Sequence, residues 1–100
     1  MLKADEEIRW MLIMNKHVPA DVLRQFSNDQ SERVRGFLAR KRACPPDVLE
    51  VLSKDTSEDV RATLCNHSKL PRSLLDRLAN DPCSWVAKTA HEVLQRRSTS

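Results

Sequence analysis

Shifted against itself by 26 residues, the chain falls into register without a gap. Pro19, Pro45 and Pro71 align, as do Leu23, Leu49 and Leu75, and Phe26, Leu52 and Leu78. Asp29, Asp55 and Asp81 form the next row, then Ile8, Val34, Val60 and Val86. Arg9, Arg35 and Arg61 follow, with Ala87 breaking the row, and Leu12, Leu38 and Leu64 end in Ala90. So many coincidences at one offset are the signature of a repeat architecture, in which each unit buries its apolar face only by stacking on its neighbours.

Each repeat reads as two helices. The first opens at the proline, whose missing N–H has no partner to lose at the first helical position. Asp21, Asp47 or Ser73 stands in that first turn, where the helix dipole favours it. Val48, Leu49 and Leu52, with their equivalents, give one apolar face. Val18, Cys44 and Leu70, just ahead of the prolines, suit a hydrophobic staple. The second helix is expected to open at the aspartate as N-cap, with Glu32 or Glu58 three residues on and Pro82 at the first helical position of the third copy. Val34 with Leu38, and Val60 with Leu64, supply its core stripe.

The expectation is therefore an all-α fold of about seven helices in one domain, 1–97. A lone second-type helix at 4–16 precedes helix pairs at 19–28 with 30–42, 45–54 with 56–68, and 71–80 with 82–97. The half repeat is 4–16, the full repeats are 19–42, 45–68 and 71–97, and 98–100 should fray.

Composition supports this and narrows the function classes. A single glycine and no tyrosine leave little material for hairpin turns, which argues against an all-β fold. Seventeen basic against 14 acidic residues, a net charge of +3, permits nucleic-acid binding without demanding it. No apolar run approaches a membrane span, and the longest, Trp10 to Met14, follows Asp5-Glu6-Glu7 rather than a cationic leader start. Three widely spaced cysteines, Cys44, Cys65 and Cys83, read as free thiols. These features point to a cytoplasmic protein with no membrane partner.

The pattern P-x-x-[VL]-L-x-x-[FL]-x-x-D-x-x-x-x-V-[RA]-x-x-[LA] resembles the bacterial HEAT-like repeats, especially the leucine-rich-repeat variant family, over essentially the whole chain. The resemblance implies a right-handed α-α superhelix, a short solenoid whose second helices line a concave face used to bind macromolecules. It also implies a structural ladder of Asp29 with Arg35 and Asp55 with Arg61. Lys3 and Ala87 depart from the pattern, so the ladder should stop at both ends, as in capping repeats.

Positions that recur in every copy are explained by the fold, which leaves the face opposite the core stripe of each second helix. Copy by copy it reads Glu7, Trp10, Met11, Met14; Arg33, Gly36, Phe37, Arg40; Asp59, Ala62, Thr63, Asn66; Trp85, Lys88, Thr89, Glu92. Aromatic residues, Met and Arg are the types enriched at interfaces, so Trp10, Met11, Met14, Arg33, Phe37, Arg40, Trp85 and Lys88 are the candidate partner-binding residues. Structural readings stand beside these. The apolar first helix has burial, end closure or a homodimer contact open to it. Trp85 has a role as cap of the core, and Gly36 one in admitting a neighbouring helix close to Phe37. Lys41 and Arg42 suit the negative end of a helix dipole.

Catalysis has little support: no Gly-rich phosphate loop, H-E-x-x-H or G-x-S-x-G occurs. Cys65 and His91 share a register position, where a thiol–imidazole contact is conceivable, but a buried small-residue site explains Cys65 better. Neither a metal nor another cofactor is expected, since Cys65, His67, Cys83 and His91 lack ligand spacing. The leading expectation is a non-enzymatic protein-binding module acting on another protein or a peptide, as an adaptor, inhibitor or immunity-type protein. The alternatives are nucleic-acid binding through Arg33, Arg40, Lys41 and Arg42, and a homodimer through the N-terminal helix.

Overall fold

A computed structural model describes residues 4–99. Among them are seven helices and no strand: α1 (Ala4–Met14), α2 (Ala20–Phe26), α3 (Glu32–Arg40), α4 (Pro46–Leu52), α5 (Glu58–Cys65), α6 (Arg72–Leu78) and α7 (Ser84–Thr99). The fold is all-α. The second-type helices α1, α3, α5 and α7 pack in file, each on the next, while α2, α4 and α6 pack on the second helix of their own repeat.

The repeat register holds. Val34, Leu38, Val60, Leu64, Val86 and Ala90 are fully buried, as are Leu23, Leu49 and Leu75 and the pair Leu52 and Leu78. Cys44 and Leu70, ahead of their prolines, are buried as well. Each such Leu or Val stabilises the fold by about 1.5–3 kcal/mol relative to leaving it in water.

The helix starts correct the sequence reading. Pro19, Pro45 and Pro71 are not the first helical residue but the N-cap, with ψ near 150°. Their carbonyls take the first N–H groups of the helix, as when Pro45 accepts from Val48 and Leu49. The second helices do not open at the aspartate either. Ser31 and Ser57 are the N-caps, and their hydroxyls accept from Val34 N–H and Val60 N–H. The aspartate two residues earlier accepts the serine's own N–H, 2.8 Å at Ser31 and 2.9 Å at Ser57. Asp81 does the same for Cys83, so α7 begins at Ser84 and Pro82 lies outside the helix. At the other end α7 runs through Thr99, and Ser98 Oγ donates to the Gln95 carbonyl; Ser100, the end of the expected frayed tail, lies outside the described residues.

Helix α1 departs from its sister copies. Ile8 and Leu12 stand where Val34 and Leu38 are buried, yet they are 61% and 46% exposed. Among the described residues the main packing partner of α1 is α3, a second-type helix. Ile13 is instead the fully buried residue of α1, at the position of Ala39 and Cys65. That position faces the next second helix in file, and α1 has such a neighbour in α3.

Candidate functional site

Three ladders of side chains hold the second helices in register, and together they decide which faces stay open. In the first, Arg35 reaches into the next repeat. Its Nε and Nη2 donate to the Asp55 carboxylate at 2.7 and 3.3 Å, and its Nη1 donates to the Asp29 carbonyl at 2.6 Å. Arg61 repeats this with Asp81 and the Asp55 carbonyl. The expected pairing of Asp29 with Arg35 and Asp55 with Arg61 is thus made through the aspartate backbone, while each carboxylate serves the arginine of the preceding repeat. Nor does the ladder stop short of α1. Arg9 Nε lies 2.8 Å from Asp29 Oδ2, an ion pair whose N–H points off the oxygen. Lys3 lies outside the described residues, and Ala87 has no guanidinium with which to continue the ladder.

The second ladder escapes sequence reasoning. The N-cap hydroxyl of Ser31 donates to Glu6 and that of Ser57 to Glu32. It stops at Cys83, which replaces the serine in the last copy. The recurrence of Glu6, Glu32 and Glu58 was the available signal. In the third ladder a side chain satisfies a carbonyl just past the end of the preceding second helix. Lys41 Nζ donates to Asn15 O at 2.9 Å, His67 Nε2 lies 2.7 Å from Lys41 O, and Arg97 Nη2 donates to His67 O at 3.3 Å. His67 Nδ1 accepts the Lys69 N–H, which leaves the ring proton on Nε2 for Lys41. Lys41 therefore serves a helix end, but that of α1 rather than its own.

Burial works against the Asp81 carboxylate. The Arg61 hydrogen bond, the Cys83 N–H and the Arg61 charge outweigh it and hold the carboxyl below its ordinary value. The Arg61 guanidinium is raised in turn, chiefly by the hydrogen bond to Asp81.

With these groups engaged, the open face of α1, α3, α5 and α7 forms a wall. Trp10 and Phe37, both half-buried, meet there with ring centroids 6.0 Å apart and planes tilted by 56°. This is the tilted arrangement that aromatic quadrupoles favour. Met11 and Met14 are exposed beside them. Arg33 and Arg40 are exposed on α3, one turn either side of Phe37 and Gly36. A methyl group built on Gly36 would meet nothing within 4 Å. The expected role of Gly36 in admitting a neighbouring helix is therefore not what this fold uses; the residue faces open space.

Further along, Ala62 is buried and Thr63 half-buried. Arg40 and Arg42 with Thr63, Asn66 and Ser68 border a cleft of about 460 Å³ between successive repeats. Trp85 is 52% exposed, so it does not cap the core, and Lys88 beside it is exposed. Two further steps of about 8–10 Å separate α7 from α3, so Trp85 and Lys88 form a second cluster apart from the Trp10–Phe37 pair. A larger groove of about 570 Å³ lies at the other edge, among Asp29, Arg35, Glu50, Lys54 and Asp55. Its main charges already pair within the stack, as in Arg35–Asp55 and Arg9–Asp29.

Cys65 and His91 do not act together. Cys65 is sealed in the core with its Sγ 3.4 Å from the Arg61 carbonyl, and burial pushes its thiol up to about 11. His91 is exposed. Burial, helped by the nearby Asp47 charge, pushes the Cys44 thiol up to about 12. Such thiols are poor nucleophiles. Among the described residues no cluster of three or more His, Cys, Asp or Glu is placed to hold a metal ion, and no helix is long and apolar enough to cross a membrane.

Among the described residues the fold is all-α, seven helices with the second helices packed in file. Comparison with protein-family models, with curated proteins and with solved structures finds no match for this chain.

Proposed function

We propose that the chain is a non-catalytic protein-binding module of the HEAT-like, leucine-rich-repeat variant kind. The wall of second helices is then the concave side of a short right-handed superhelix, holding a peptide, a helix or a folded partner in the cytoplasm. An adaptor, inhibitor or immunity-type role suits such a module. The observation that carries this reading is a division of labour. Recurring polar residues are spent on the ladders, whereas the side chains of highest contact value, Trp10, Met14, Arg33, Phe37, Arg40 and Trp85, stand on the open wall where no ladder uses them.

The test is capture of a partner from the native host by the immobilised protein with chemical cross-linking. Phe37→Ala with Arg40→Ala should abolish capture while circular dichroism stays unchanged. Because Phe37 packs partly on the core, Arg33→Glu with Arg40→Glu serves as the variant that leaves the core intact. Capture that survives both variants refutes the reading.

A nucleic-acid partner is the second reading, favoured by the cleft between Arg40 and Arg42. Lys41 contributes less to it than its sequence position suggests, because its ammonium is held by the Asn15 carbonyl. Phosphate contacts would give an affinity that falls steeply with salt. A titration without affinity for DNA or RNA at low salt removes that option.

A further inference from the structure

The two ends of the helix file differ in chemistry. The position that faces the next second helix holds Ile13, Ala39 and Cys65, each fully buried, but His91 in the last copy, which is exposed. Ala87 also replaces the ladder arginine there, so α7 offers the next repeat neither an apolar knob nor a ladder cation. At the opposite end α1 presents Ile8, Met11 and Leu12 at i, i+3 and i+4, a continuous apolar face that is 61%, 60% and 46% exposed. One end of the stack is finished and the other is not.

We propose that this face of α1 is the contact between two copies of the chain, related by a twofold axis with their α1 helices antiparallel. Head-to-tail stacking would require the polar end at α7 to accept the apolar end at α1, and the chemistries do not match. A twofold contact uses the same patch on both copies and closes on itself. The charges of α1 select the antiparallel direction. Its first turn carries Asp5, Glu6 and Glu7, and the turn after its last residue carries Lys16 and His17. Asp5, Glu7, Lys16 and His17 are exposed, Asp5 also lying 3.5 Å from Arg9 Nη1 one turn along its own helix. Antiparallel pairing sets Ile8 over Leu12 of the second copy and Asp5 beside Lys16 of the second copy, twice by symmetry. A parallel pair would set acid on acid. The helix dipoles also oppose one another in the antiparallel arrangement, and the flexible Met11 fills the space at the rim. One helix face supplies less than the roughly 800 Å² per partner of a standard interface, so the dimer is a weak, reversible one.

Sedimentation equilibrium of the full chain, from micromolar to millimolar concentration, tests this. A monomer–dimer equilibrium that stops at two copies is expected. Leu12→Glu should raise the dissociation constant by at least about tenfold while leaving helicity unchanged. Asp5→Lys should weaken the dimer, and Lys16→Asp added to it should restore the affinity. Both charged side chains are exposed, so this arm does not depend on core packing. A monomer at millimolar concentration, a dimer indifferent to Leu12→Glu, or growth beyond two copies overturns the proposal. So does a monomer that instead binds a peptide of residues 43–54, the segment whose helix packs on α5, because the face would then belong to a first-type helix.

Discussion

Arg61 reaches 20 residues forward to clasp Asp81, Nε to Oδ2 at 2.8 Å and Nη2 to Oδ1 at 3.1 Å, while its Nη1 holds the carbonyl of Asp55. One side chain thus ties two successive turns between helices, and both partners are nearly closed to water at 13% and 6% exposure. Arg24 and Asp47 make a pair of similar length, 2.6 Å, in open solvent. Arg61→Ala should destabilise the protein by about 2 kcal/mol, because it strips charged hydrogen bonds from a shielded carboxylate. Arg24→Ala should have little effect, since exposed pairs are screened. Denaturant melts of the two variants make the comparison.

The same pair gives the fold an acid limit. The Asp81 carboxyl is held below its ordinary value of 3.8 in the folded state. A group lowered by folding stabilises the fold above its unfolded pKa and loses that contribution as pH falls through the folded one. Unfolding midpoints should therefore drop as pH is lowered below about 4. Asp81→Asn should be less stable at neutral pH and should show a flatter decline, measured by denaturant titration at a series of pH values.

Leu49→Ala and Leu64→Ala should each cost about 2–5 kcal/mol, the loss expected when a sealed leucine leaves a cavity. Both side chains are at most 1% exposed. Leu12→Ala occupies the same repeat position as Leu64→Ala, yet it should cost well under half as much in the monomer because its site is already open to water. Thermal melts at low protein concentration distinguish the two.

His67→Ala should cost about 1 kcal/mol, since it removes two part-buried hydrogen bonds and leaves the Lys41 carbonyl with only the Cys44 N–H. His67→Lys should recover part of that loss, because Lys41 makes the equivalent bond to Asn15 O one repeat earlier. Hydrogen exchange at the Lys69 amide reads the effect locally.

Gly36→Ala should raise stability by about 0.5–1 kcal/mol, the ordinary gain for replacing a helix-interior glycine where a methyl group meets open space. On the proposed function it should also weaken partner capture, because the added methyl group stands on the open face beside Phe37. A variant that melts higher and binds less well is the expected outcome, checked by calorimetry and pull-down together.

Helix count, helix order and core register were legible in the residues because they follow from local rules. Recurrence at 26 places Val34, Leu38, Val60 and Leu64 on one face whatever surrounds them, and burial of all four follows once the repeats stack. Helix boundaries were less legible. Aspartate, serine and proline all compete for the N-cap, and the choice of Ser31 and Ser57 rests on an asparagine-like turn that Asp29 and Asp55 make first. The candidate wall was legible as a list of residues, and the structure brings Trp10 and Phe37 together while leaving Trp85 elsewhere.

What the sequence by itself determined is the repeat: how long each unit is, which positions are apolar and which chemistry each turn carries. What only the tertiary structure decided is who meets whom across repeats. Arg35 takes Asp55 rather than Asp29 as its carboxylate partner, Ser57 finds Glu32, and Ile8 is left uncovered although it matches Val34 letter for pattern. The reason is physical. Periodicity encodes the face on which a side chain stands, but the partner across that face is set by the offset between stacked helices, and a one-dimensional repeat carries no record of which neighbour, if any, stands there.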